Sequence, residues 1–155
     1  MSEIPRLVDQ LERALDGDAW HGPPLLAVLR GLDAAAAARR PCAGTHTAWE
    51  LALHVRCWLD VARRRIAGEA VEPNEAENWP PMPAATDAEW ARTVAAVEAS
   101  YRALIAAAAR LDDTALARPV SGQAYDTYVL LHGALQHTLY HAGQIALLGR
   151  TAAGR

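Results

Sequence analysis

Two histidines, His137 and His141, lie four residues apart in the stretch His137-Thr138-Leu139-Tyr140-His141-Ala142-Gly143-Gln144. On a helix that spacing puts both imidazoles on one face, a turn apart, where they can reach a common point. A metal ion is the natural occupant, but two donors do not close a site, so a third has to come from another segment. His54 is the candidate. It falls within the stripe Leu51, His54, Trp58, Val61, which aims it inward between large apolar residues. Three neutral imidazoles suit a borderline divalent ion and leave positions open for water or substrate, the mark of a site that does chemistry. A bound ion there lowers the pKa of a coordinated water or thiol toward neutrality.

Several neighbours of these histidines carry two readings each. Glu50 is one turn before His54 and can orient the imidazole or serve as a base; it is also the acid of a capping box. Gln144, close to one turn beyond His141, can hydrogen-bond a coordinated water or only cap a polar patch. Trp79 has no helical seam to explain it, so substrate or cofactor contact, as part of a lid, stands beside plain packing. Cys57 is a conceivable thiolate ligand or a small buried hydrophobe. Surface or capping roles suffice for His21, His46 and His132, and core roles for Trp58, Trp90 and Tyr101.

The elements that must position these groups are helices. Ile4, Val8, Leu11 and Leu15 mark a first amphipathic helix ended by Asp16-Gly17-Asp18. A shorter piece carries Leu25 to Leu29 behind Pro23 and Pro24, and an Ala-rich turn from Asp33 to Arg40 is stopped by Pro41. Thr47-Ala48-Trp49-Glu50 is a capping box, and the helix it opens is expected to reach Ala67. Gly68 supplies the stop, and Arg63, Arg64 and Arg65 complement the dipole.

Residues 69–85 form a long Pro-rich connection that includes Asn78-Trp79-Pro80-Pro81-Met82-Pro83 and acts as a linker or a lid. A second capping box, Thr86-Asp87-Ala88-Glu89, precedes the seam Trp90, Val94, Val97, Tyr101, Leu104, Ala108, Leu111. The last helix is placed from about Asp126 to Leu148, with the stripe Leu130, Ala134, His137, His141, Gln144, Leu148. No strand-period alternation competes. The expectation is an all-α chain, an antiparallel four-helix bundle with short accessory helices, forming one domain over residues 1–155.

Composition narrows the chemistry. There is no Lys, which removes Schiff-base chemistry and Walker-type phosphate binding. About 35 alanines and no Phe favour closely packed helices. The formal charge of −3 and the scattered Arg residues give no nucleic-acid footprint. Cys42 and Cys57 form no CxxC, which suits a reducing interior, and no apolar window is long enough for a membrane span, so a cytoplasmic location is expected. The serines Ser2, Ser100 and Ser121 sit in no nucleophile-elbow pattern.

Thr47-Ala48-Trp49-Glu50-Leu51-Ala52-Leu53-His54, then Asn78-Trp79-Pro80, then His137-xxx-His141-Ala142-Gly143-Gln144-Ile145 resemble the DinB-like superfamily, the DinB/YfiT-like metalloenzymes. The resemblance runs in order over essentially the whole chain. It implies an antiparallel four-helix bundle with a three-His site at His54, His137 and His141, commonly holding nickel or zinc, often in a homodimer. Members of known activity include S-transferases that use low-molecular-weight thiols such as bacillithiol, and a mycothiol-dependent maleylpyruvate isomerase. The function expected is therefore a metal-dependent thiol S-transferase or hydrolase acting on a small-molecule substrate. The rival is a non-catalytic metal- or small-molecule-binding bundle of the stress-response kind.

Overall fold

The computed structural model describes residues 2–152 of the chain, and the described residues are helical with one isolated β-bridge, between Pro119 and Asp126. Four long helices dominate: α1 (Glu3–Leu15), α4 (Ala48–Ile66), α6 (Asp87–Ala108) and α7 (Thr127–Ala152). Three short ones, α2 (Leu25–Arg30), α3 (Ala34–Ala38) and α5 (Glu75–Asn78), and a 3₁₀ turn at Asp113–Ala117 complete the chain. Helix α4 packs along both α6 and α7, and α1 lies against the same two helices, which makes a helical bundle. Among the described residues no helix is long and apolar enough to cross a membrane.

The helix ends follow local chemistry. Both halves of the Thr47 capping box form: Thr47 Oγ1 accepts from Glu50 N at 3.1 Å, and Glu50 Oε2 accepts from Thr47 N at 2.7 Å. Gly68 has φ +92°, the left-handed geometry that lets the chain leave α4 sharply. At α6 only the Thr86 half of the expected box is made. Glu89 turns outward to Arg92 instead, at 2.5 Å, because an ion pair with a side chain three residues on competes for the same carboxylate. Helix α6 also ends at Ala108, three residues before Leu111, where the chain turns toward Asp112 and the 3₁₀ segment.

The N-terminus of α1 is capped from far away. Asp113 accepts from the backbone N–H of Glu3 and Ile4 and from Ser2 Oγ, satisfying amide groups that a helix start leaves free. On α1 the buried stripe is Ile4, Leu7, Leu11, Ala14 and Leu15, with Val8 only partly covered, so the buried face is turned slightly from the one the Ile4–Val8 spacing suggests. The core is centred on Trp49, Tyr101 and the leucines of α1, α2 and α6. Trp49 meets Trp90 edge-on at 5.0 Å and donates from its indole N–H to Thr93 Oγ1 at 3.0 Å, so its polar atom is paired inside the core. This packing fixes the rotation of α4 about its axis. His54 is thereby turned toward α7.

Candidate metal centre

Helices α4 and α7 bring three imidazoles to one point. His54 Nε2 lies 3.0 Å from His137 Nε2, and His141 Nε2 lies 3.1 Å from the same atom. His54 and His141 are buried, at 7% and 8% exposure, and His137 is partly buried. Such separations are those of nitrogens that share one ion at about 2.0–2.1 Å. Among the described residues these three are the group of His, Cys, Asp and Glu placed to hold a metal ion.

Hydrogen bonds fix which nitrogen of each ring is free. His54 Nδ1–H donates to the backbone carbonyl of Asn78 at 3.0 Å, and a carbonyl can only accept. His141 Nδ1–H donates to Gln144 Oε1 at 2.6 Å. Both rings therefore present an Nε2 lone pair toward His137. His137 has one Nε2 proton at most and can satisfy only one of them; a divalent cation satisfies all three. The donor set fits a metal.

The electrostatics agree. Burial, then the charges of His141 and His54, push the His137 pKa down to about 3, so the ring is neutral and a competent ligand at ordinary pH. Burial likewise lowers His54, against the opposing pull of the Asn78 carbonyl, and lowers His141 against Gln144.

The third wall of the site comes from the connection. Helix α5 is one turn opened by an Asn74–Glu77 capping box, and its last residue, Asn78, leaves a carbonyl free for His54. The Asn78 side chain accepts from Trp58 Nε1 at 2.8 Å. Trp79 then stacks on His54 at 4.0 Å and 7° and is itself covered by His46 at 3.7 Å and 2°. His46 thus does more than occupy a loop: it closes a His46–Trp79–His54 stack, and its Nδ1 is 3.7 Å from Glu50.

Gln144 is in contact with His141, its Oε1 accepting from Nδ1. Glu50 sits at the start of α4 with Oε2 on Thr47 N and Oε1 on Arg40 at 2.5 Å. Burial pushes its pKa up, but the Thr47 amide and Arg40 outweigh that and hold it below the usual carboxylate value. Cys57 faces a different hollow, lined by Leu53, Asp60 and Pro80, and burial raises its thiol pKa, away from thiolate. Trp58 is not plain core: it lines a cavity beside His54 and His137.

Sequence reasoning passed over Asn78 and His46 as contributors. For Asn78 the available signal was its position immediately before Trp79-Pro80, where Pro ends a helical turn and frees a carbonyl. His46, in an irregular loop, gave no periodic signal.

The cavity of about 510 Å³ runs between α4 and α7 from the imidazoles to Arg65 and Tyr125, of a size suited to a small molecule. Its walls are mostly apolar. No curated protein and no solved structure matches the chain. A family model does, the DinB superfamily, over residues 20–145, a span that includes all three histidines, Asn78 and Gln144. The chain belongs to the DinB superfamily.

Proposed function

We propose that the protein is a metal-dependent enzyme in which His54, His137 and His141 hold nickel or zinc, and that it transfers a low-molecular-weight thiol to an electrophile or hydrolyses a small substrate. The observation that carries the reading is the convergence of three Nε2 atoms at the end of an apolar cavity. When bound, the ion supplies Lewis acidity, which makes a coordinated thiol or water nucleophilic near neutral pH.

The chain's own residues do the rest. Asn78 and Gln144 hold the Nδ1 protons of His54 and His141 and so keep each Nε2 free. Trp79 covers one face of His54 and shields that ring from water. Glu50 acts as a positioning residue: through the α4 cap and its contact with His46 it supports the stack on which His54 rests. The apolar walls around Trp58 and Leu130 exclude water from the reacting groups. Val129, Tyr140 and Leu147 are exposed on α7, which is in keeping with the homodimer that the resemblance implies.

The test is metal analysis of the purified protein followed by thermal unfolding with added nickel or zinc. At about a hundredfold excess over Kd the ion is expected to stabilise by about 2.7 kcal/mol, a Tm rise of roughly 5–10 °C. A screen of bacillithiol, mycothiol and glutathione against model electrophiles then reads the reaction. Protein that contains no stoichiometric metal and gains no stability from either ion refutes the reading. Metal uptake with no acceleration of transfer or hydrolysis selects the non-catalytic binding bundle instead.

A further inference from the structure

The end of the cavity remote from the imidazoles has a chemistry of its own. Arg65 lies eleven residues after His54, three turns along the same side of α4, or about 16 Å of helix axis. Its side chain is only 3% exposed, and its guanidinium sits 5.7 Å over the Trp58 ring. Nε and Nη2 donate to the Val71 carbonyl, and Nη2 also donates to Glu72 at 2.7 Å. Nη1 donates to Tyr125 Oη at 2.6 Å. Four of the five guanidinium hydrogens are thereby used. One on Nη1 remains, and so does the Tyr125 hydroxyl hydrogen, because that oxygen accepts in this bond.

The charge on Arg65 is poorly balanced. Its counter-ion, Glu72, is 69% exposed and so largely in water, while the guanidinium faces the cavity. Among the described residues no Asp or Glu lines the cavity, and Arg65 is the one formally charged residue there. Two remaining donors, one on a cation, match the two oxygens of a carboxylate. A phosphate dianion fits less well, since a single guanidinium would face it and Glu72 would repel it.

We propose that the cavity binds small organic carboxylates, with the carboxylate on Arg65 and Tyr125, the apolar body along Trp58, Ala62 and Leu130, and the reactive end toward the three imidazoles. The carboxylate end stands on the cavity alone; only the assignment of the reactive end rests on the metal-enzyme reading.

The experiment compares octanoate with octanamide by calorimetry, on the protein as purified and after chelation, with metal content measured in each. Octanoate is expected to bind about tenfold more tightly than octanamide, before and after chelation. Arg65→Gln abolishes the preference. Because Arg65 also pins the connection at Val71, two milder variants accompany it. Tyr125→Phe weakens octanoate more than octanamide, because the charged acceptor gains more from the lost O–H. Glu72→Gln, at an exposed residue outside the site, tightens octanoate about two- to fivefold by removing the competing carboxylate.

Equal binding of the two probes overturns the proposal, as does a preference that survives Arg65→Gln. A preference that vanishes on chelation also overturns it, since the carboxylate then sits on the metal. Protein found free of metal that still prefers octanoate supports the anion subsite while the metal reading fails.

Discussion

Acid should destabilise the metal-free protein through His137, and the size of the effect can be worked from its surroundings. Burial and two neighbouring imidazoles hold the folded-state pKa at about 3, against 6.5 for an ordinary histidine. As pH falls below 6.5 the unfolded chain takes up a proton that the folded state refuses, so stability drops through this window and levels off only below about 3. Between about pH 8 and about pH 5 the loss from this one group is about 2 kcal/mol, or a Tm decrease of roughly 4–8 °C. His54 and His141 shift in the same direction and add to it. The depressed carboxylates Asp9, Glu50, Asp112 and Asp113 titrate below that range and contribute little by pH 5. The assay is urea unfolding of chelator-treated protein at the two pH values, for wild type and for His137→Leu. The variant should lose correspondingly less stability on acidification. Equal wild-type stability at both pH values, or an undiminished acid loss in His137→Leu, would refute the account of His137 as a buried neutral imidazole.

Three further outcomes are expected. Gln144→Leu removes the acceptor of His141 Nδ1–H and should weaken nickel or zinc roughly tenfold to a hundredfold in a chelator competition, with the fold unchanged by circular dichroism. Glu50→Gln loses the charged half of the α4 cap and the Arg40 pair and should lower unfolding stability by about 1 kcal/mol, read from the denaturant midpoint, while leaving metal stoichiometry intact. Trp49→Ala, at a fully buried position whose indole also pairs Thr93, should cost about 3–5 kcal/mol by the same measurement.

The helical periods were strong enough to read α1, α4, α6 and α7 directly, because each buries one continuous stripe and the intervening residues are polar or small. Thr47-xx-Glu50 and Gly68 marked the ends of α4 for the same local reason: both are short-range hydrogen-bond or dihedral requirements. Where a side chain had a choice of partner, local reading was incomplete. Glu89 took Arg92 rather than the cap of α6, and the one-turn helix α5 was hidden in a segment whose composition suggested only irregular chain.

At the candidate centre, three inward-facing imidazoles were legible in the chain, since helical spacing puts His137 and His141 on one face and His54 lies on an inward stripe. Their meeting was decided by the tertiary structure, through the packing of α4 on α7 and the rotation that Trp49 and Trp90 impose. So were the tautomers, because Asn78, twenty-four residues from His54, supplies its acceptor only once the connection folds back over α4. The His46–Trp79–His54 stack and the Arg65 guanidinium at the far end of the cavity, paired with the exposed Glu72, arise in the same way. Periodicity records which way a side chain points along its own helix; which groups it then faces depends on contacts between segments distant in the chain.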